Sequence, residues 1–177
     1  MALPYARNSQ DRLLTIDINS EIDLPSDLPG TTVKPLFLDR EDGVLTPYGT
    51  FKPGIVLPTH FHTETVRFFT TKGRWQCADH TEDVQTANSC PYKPGGLIHT
   101  FMVPADATEP AEGFAVVNGA NVNFVNGEYY SIIDTCAIED GFLGAVKAGL
   151  IPMPRYVRPK GGAQFSTTRS IEGKDES

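Results

Sequence analysis

The sequence predicts an all-β domain, a sandwich or a barrel, followed by a single helix. Between residues 31 and 124, short runs rich in valine, isoleucine, phenylalanine, tyrosine and threonine alternate with glycine, proline, asparagine and aspartate. A spacing of about 8–12 residues between such runs is typical of β-sandwiches and barrels. Two Asn-Gly pairs near residues 118–127 are strong hairpin signals. After residue 131 the apolar spacing becomes that of a helix.

Four segments are expected along the chain. Residues 1–30 are polar and proline-marked, and should form an N-terminal arm with a short helix or strand near residues 12–18. Residues 31–130 should form the β-domain and residues 131–152 the helix. Residues 153–177 should form a C-terminal arm and a mobile tail, because the end of the chain is rich in glycine, serine and charge.

The helix is predicted from apolar residues three or four positions apart, from Ile133 to Leu150. Either Asp134 or Thr135 is suited to cap its N-terminus, and Pro152 follows its end.

The composition limits the partners and the compartment. The chain has 177 residues, 40% of them hydrophobic, and a formal net charge of −7. It therefore lacks the basic face that binds nucleic acid or anionic membranes, and we expect neither as a partner. We expect no secretory signal, and no apolar run approaches the ~20 residues of a membrane span. Three scattered cysteines without a CxxC pair favour a cytoplasmic protein with reduced thiols.

All four histidines lie between positions 60 and 99. His60 and His62 alternate along a predicted strand, so they share a face. His99 follows a Pro-Gly-Gly turn and begins another strand, which a hairpin or barrel can carry across to the first pair. Neutral imidazole is a common ligand for iron, zinc, copper and nickel. We predict a metal site formed by these three residues, with well-bonded core histidines as the alternative. His80 lies in a polar turn and is expected to be solvated.

These motifs resemble the two-motif signature of the cupin superfamily, G-x5-H-x-H-x3,4-E-x6-G followed by P-x-G-x2-H. The matching residues are Gly54, His60, His62, Gly73, Pro94, Gly96 and His99. The resemblance implies a cupin jelly-roll β-barrel with an N-terminal arm and one C-terminal α-helix. It also implies that the metal lies inside the barrel.

One departure from the signature changes the expected chemistry. The glutamate of the first motif should fall at position 66 or 67, where this chain has Val66 and Arg67. Three neutral ligands leave a divalent ion with its full charge and up to three open positions. Such a site favours a chelating anionic substrate beside O2, and metal-assisted cleavage of a carbon–carbon bond. Glu64 shares the histidine face by alternation, so it is either close to the metal or an exposed turn residue.

Three longer stretches resemble the family of 2,4'-dihydroxyacetophenone dioxygenase: "HFHTETVRFFTTKGRWQCADH", "SCPYKPGGLIHTF" and "IIDTCAIEDGFLGAVKAGL". That resemblance implies an Fe(II)-dependent dioxygenase that cleaves a C–C bond of a small α-hydroxyketone or diketone with O2. The related acetylacetone-cleaving cupins also use three histidines. Zinc, nickel and manganese are alternative metals for this donor set.

Several further side chains are candidates for the substrate site. Family members often carry an acid where this chain has Lys93, which either suits a more anionic substrate or is solvated at the turn. Arg67 either pairs with a substrate carboxylate or forms an ion pair elsewhere. Phe101 shares strand parity with His99 and is the best candidate to stack on an aryl ring. Val66 stands where the missing glutamate would be.

Two other functional classes remain open at this stage. A cupin lyase, isomerase or hydrolase would use zinc or another metal as a Lewis acid without O2. A non-enzymatic cupin would hold a small ligand in its barrel. For assembly, we expect a homodimer or homotetramer, because small cupins usually pair and both arms resemble segments that clasp a neighbour.

Overall fold

The computed structural model describes residues 6–7, 15–25, 28–158 and 164–165. Within these residues the chain forms fourteen strands and one helix. The elements are β1 (Ala6–Arg7), β2 (Leu24–Pro25), β3 (Thr31–Asp39), β4 (Val44–Phe51), β5 (Thr59–His62), β6 (Val66–Lys72), β7 (Arg74–Cys77), β8 (His80–Thr86), β9 (Tyr92–Lys93), β10 (Phe101–Met102), β11 (Ala111–Asn118), β12 (Asn121–Val125), β13 (Glu128–Ile133), α1 (Thr135–Lys147) and β14 (Gln164–Phe165).

The strands form a six-stranded sheet and several smaller ones. The large sheet has the order β2-β3-β4-β11-β6-β9, and a three-stranded sheet has the order β13-β12-β5. A second three-stranded sheet has the order β10-β7-β8, and β1 pairs with β14. The strand pairings within these sheets are antiparallel, and β11 pairs with both β4 and β6. The all-β prediction is confirmed, and the architecture is that of a cupin jelly roll.

The turn between β6 and β7 shows why one glycine of the first motif is required. Gly73 has a φ of +70°, a left-handed conformation that glycine adopts without cost. A Cβ at this position would also collide with the carbonyl oxygen of Pro110. Only glycine therefore lets β6 reverse into β7 at this point.

Two apolar clusters stabilise the fold. The first contains Val66, Phe68, Trp75 and Phe101 and lies beside the cavity between the sheets. Within it the rings of Trp75 and Phe101 stack with their centroids 4.8 Å apart. The second cluster packs Leu38 and Leu45 against Phe142 of α1. The first cluster shapes the cavity, and the second attaches the helix to the domain.

Helix α1 is shorter than the predicted range 131–152. Residues 131–133 belong to β13, and Asp134 is the N-cap, its Oδ1 accepting from the Ala137 N–H at 2.7 Å. At the other end Gly149 adopts a φ of +72°, which ends the helical path before Leu150. The two ends of the apolar pattern, Ile133 and Leu150, therefore lie outside the helix.

The N-terminal segment contacts the rest of the same chain. Residues 15–18 form neither helix nor strand, and the remainder of the element expected near residues 12–18 lies outside the described residues. Leu24 of β2 pairs with Val33 of β3. Arg155 donates to the Glu21 carboxylate at 2.8 and 3.0 Å. Assembly as a homodimer or homotetramer remains a prediction, as does the division into four segments.

The C-terminal segment after α1 also returns to the domain. Val157 forms a parallel bridge with Phe37, and its N–H donates to the Leu36 carbonyl at 2.8 Å. Most of the predicted mobile tail lies outside the described residues. In the part of the chain that the structure describes, α1 is too short and too polar to cross a membrane.

Candidate metal centre

Three histidines meet beside the cavity, two on β5 and His99 just before β10, which begins at Phe101 and not at His99 as the sequence suggested. His60 and His62 lie two positions apart on β5, so their side chains share a face. His60 and His99 form an antiparallel bridge, with N–H to carbonyl distances of 2.9 and 2.8 Å in the two directions. Directly opposed residues of an antiparallel pair project to the same side. The backbone therefore brings the HxH pair and the distant His99 together, as the sequence predicted.

The imidazole rings lie close enough to share an ion. Ring centroids are 4.2 Å apart for His60 and His99, 5.1 Å for His60 and His62, and 5.6 Å for His62 and His99. One ring nitrogen from each lies within 4.8 Å of the others. Metal–nitrogen bonds of ~2.0–2.1 Å place ligand nitrogens about 3.0–3.4 Å apart, so side-chain rotations that shorten these distances by up to about 1–2 Å close the set around one ion.

Backbone carbonyls fix two of the three rings. The Nδ1–H of His60 donates to the Pro58 carbonyl at 2.7 Å, and that of His99 donates to the Leu97 carbonyl at 2.9 Å. A proton held on Nδ1 leaves the Nε2 lone pair of each ring free for a metal. The Nδ1 of His62 is buried without a hydrogen-bond partner among the described residues. This ring nitrogen is therefore available to a ligand from outside the described chain.

The three imidazoles are neutral over the physiological range. Burial, opposed by a hydrogen bond to the Pro58 carbonyl, lowers the pKa of His60 to about 4. Burial and the neighbouring His60 and Lys93 lower the pKa of His62 to about 3. Burial, then Lys93, also lowers the pKa of His99 to about 3. Neutral imidazole is the form that binds metal, so these residues suit a divalent ion.

A lysine ammonium lies against the histidines. Lys93 of β9 places its Nζ 2.9 Å from Nε2 of His99. An ammonium can only donate, so this contact shows that the Nε2 lone pair faces the cavity. The same Nζ lies 4.9 Å from the centroid of the Trp75 ring and 5.9 Å from that of Phe101. Burial lowers the pKa of Lys93 to about 8. The ammonium therefore takes the place beside His99 that a metal ion would occupy at the predicted site.

The cavity around the histidines has a volume of about 700 Å³, within the usual range for small-molecule sites. Its walls are mostly apolar and come from both the six-stranded sheet and the sheet containing β5. Val66 and Phe101 are among the lining residues, as expected from the sequence. Phe61 points away from the histidines and stacks on Phe124, with ring centroids 5.9 Å apart.

Two asparagines at the site were missed by the sequence analysis. Asn121 and Asn123 of β12 lie directly opposite His62 and His60 and line the cavity. Asn123 donates from Nδ2 to Ser131 Oγ at 3.1 Å, and Oδ1 of Asn121 is buried without a partner in the described part of the chain. The available signal was the alternation of two polar residues within an apolar strand, in a stretch interpreted mainly as a hairpin.

The other candidates lie away from the histidines. Glu64 is exposed and does not line the cavity, because the chain bends at residues 63–64 and interrupts the alternation. Arg67 is exposed on β6. His80 is exposed beside Glu82 and Asp83, as expected, but it begins strand β8 and the turn lies just before it at residues 78–79.

Fold and sequence comparisons agree with this geometry and define the class of protein as a cupin. The model of the ChrR cupin-like domain family matches residues 10–120. The chain belongs to this family.

Solved structures supply further similarities. A Ralstonia eutropha protein of unknown function with a cupin-like fold is 35% identical, with a TM-score of 0.76, over 84% of this chain and 93% of that one. An acetylacetone dioxygenase from Acinetobacter johnsonii is 16% identical, with a TM-score of 0.66, over 81% of this chain and 99% of that one. A search of curated proteins gave no significant match.

Proposed function

We propose that this chain is an iron(II)-dependent dioxygenase that cleaves a C–C bond of a small α-hydroxyketone or diketone with O2. The proposal depends on the three side chains that would bind the metal, all of which are histidines. Three neutral imidazoles lie together, two of them (His60 and His62) line a cavity of about 700 Å³, and no carboxylate lines the cavity among the described residues. A divalent ion held only by neutral ligands keeps its full charge and favours an anionic chelating substrate.

The protein's own residues supply position and shielding. The carbonyls of Pro58 and Leu97 orient the rings of His60 and His99. The mostly apolar walls exclude water from the reacting groups, which strengthens electrostatic interactions within the cavity. Phe101, 4% exposed and beside the histidines, offers a ring face to an aryl or enol substrate. Iron(II), when bound, polarises the ketone and supplies electron density to O2.

The overall reaction for a hydroxyketone balances without another oxidant. R–CO–CH2OH and one O2 give R–COOH and HCOOH, as the bond between the two oxygenated carbons breaks and each product gains one oxygen atom. No external electrons or cosubstrate are required. The neighbour named acetylacetone dioxygenase shares the fold, which makes a β-diketone the natural second substrate to test.

The experiment is purification under anaerobic conditions, followed by metal analysis and measurement of O2 uptake with 2,4'-dihydroxyacetophenone and with acetylacetone. We expect bound iron, O2 consumption in proportion to substrate, and one labelled atom from ¹⁸O2 in each product. His99→Ala should consume no O2, and His80→Ala should match the wild type. Zinc in the purified protein, together with no O2 uptake after iron loading, would contradict the proposal and favour a Lewis-acid cupin.

A further inference from the structure

The cavity contains a positive charge that no described lining residue neutralises. Among the described residues that line it, Lys93 is the only one with a charged side chain. Lys93 forms no ion pair within the described residues, whose lysine pairs involve Lys34 and Lys72. A buried or partly buried cation without an anionic partner is costly, so its presence beside a ligand site calls for an explanation.

The position of Lys93 is set by the backbone. β9 pairs with β6, with Lys93 opposite Val66, and both residues line the cavity. The ammonium lies against the stacked rings of Trp75 and Phe101, 4.9 and 5.9 Å from their centroids, and 2.9 Å from the Nε2 of His99. These contacts direct the charge towards the histidines and away from solvent.

A metal ion bound by the histidines would add a second uncompensated positive charge to that of Lys93. The ion would occupy the His99 lone pair to which Lys93 now donates, so two cations would lie a few ångströms apart. The histidines are neutral and the described lining contains no carboxylate. An anionic group placed between the ion and the ammonium would relieve the repulsion and pair with both.

We propose that the substrate carries a carboxylate in addition to its chelating ketone oxygens, and that Lys93 binds this carboxylate. The inference rests on the proposed function, because it assumes a chelating ketone at the three histidines. Lys93 is then the residue that selects a keto acid over a neutral ketone.

The test compares two probes of nearly the same shape, 4,6-dioxoheptanoate and its methyl ester. Both contain the same β-diketone, and only the acid has a free carboxylate. Isothermal titration calorimetry with the Zn²⁺-loaded protein measures binding without turnover. We expect the acid to bind about tenfold to hundredfold more tightly than the ester, as a charge-assisted hydrogen bond allows.

Variants assign the preference to the lysine. Lys93→Met should reduce the acid's advantage to about twofold or less, and Lys93→Arg should retain most of it. Lys147→Met, at the exposed end of α1, is the control and should behave as the wild type. An advantage that persists in Lys93→Met would overturn the inference, because the carboxylate would then bind elsewhere.

The wild-type comparison stands even if the Lys93 variants fail to fold. Equal binding of acid and ester, or no binding of either, overturns the inference. O2 uptake by the iron-loaded protein with acetylacetone or a hydroxyketone separately tests the proposed function. O2 uptake without an acid preference refutes only the role of Lys93. An acid preference without O2 uptake supports Lys93 and refutes the oxygen chemistry.

Discussion

Two buried polar clusters of this protein differ in whether the chain supplies hydrogen-bond or ion-pair partners for their polar groups. Glu139 of α1 is 1% exposed, and its carboxylate accepts from Arg40 at 2.8 Å and from Tyr156 at 2.6 Å. Arg158 forms a third contact at 3.1 Å. The histidine cluster instead has an unpartnered Nδ1 on His62 and a lysine ammonium without a counter-ion among the described residues.

The difference separates a structural cluster from a binding site. Every partner of Glu139 comes from the chain itself, so the cluster attaches α1 to the turn that follows β3 and to the C-terminal segment. The histidine cluster reaches full coordination only with an ion and an anionic ligand from outside. Buried polar groups that a fold leaves unsatisfied commonly mark a functional site. We therefore expect substitutions to change ligand binding at the histidine cluster and stability at the Glu139 cluster.

Loss of a metal ligand should have the largest effect. His99→Ala removes one of three donors, so we expect bound metal to fall from about one ion per chain to background. The measurement is elemental analysis of the purified protein, with thermal unfolding to verify folding. His80→Ala, an exposed histidine, is the matched control. Retention of metal by His99→Ala would show that the three rings do not form the site.

Disruption of the Glu139 cluster should reduce stability and spare the metal. Glu139→Ala removes the carboxylate shared by Arg40, Arg158 and Tyr156, and should lower the unfolding free energy by about 1–3 kcal/mol, because both guanidinium groups are partly exposed and can be solvated. Urea denaturation followed by circular dichroism measures it.

Asp140→Asn provides the control for that variant. Asp140 pairs with the same Arg40 at 3.0 Å, but its side chain is 65% exposed. A solvated pair contributes only about 0–1 kcal/mol, so the change should be small. Equal losses of unfolding free energy in the two variants, or loss of bound metal in Glu139→Ala, would contradict the distinction between a structural cluster and a binding site.

Acid should destabilise the metal-free protein through the histidines. Their folded pKa values of about 3 to 4 lie below the ordinary 6.5, so the unfolded chain takes up protons first. The unfolding free energy should therefore fall as pH drops from about 6.5 towards 4, and these groups should add no pH dependence above that window. Urea midpoints across the range provide the measurement, and His60→Gln should reduce the slope. An unchanged slope would place the acid sensitivity elsewhere.

Removal of the Lys93 ammonium, which competes with a metal ion for His99, should have the smallest effect of the four predicted changes. Lys93 occupies the Nε2 lone pair of His99, so Lys93→Met should raise Zn²⁺ affinity about tenfold to hundredfold, because the ion no longer has to displace one charge-assisted hydrogen bond. Competition against a chromophoric chelator measures it, with Lys147→Met as the control. Unchanged or weaker affinity in Lys93→Met would show that the ammonium does not compete with the ion.

Particular residues show how far the sequence could predict the site. His60, His62 and His99 were predictable because strand alternation and a glycine turn are local features. For Glu64 the sequence left two alternatives, and the structure shows the exposed one, because strand alternation ends where the chain bends at residues 63–64. Asn121 and Asn123 were missed because their position opposite the histidines depends on the pairing of β12 with β5. Local patterns do not contain that register.

The sequence by itself determined the fold class, the β-to-helix order and the identity of the three imidazoles, because each is encoded in residue periodicity and short motifs. The tertiary structure decided where Lys93 points, which face Asn121 and Asn123 share with the histidines, and that Glu139 is fully enclosed. These contacts join strands and segments far apart in the chain. Their register and burial are therefore set by packing of the whole domain, which no local stretch of residues specifies.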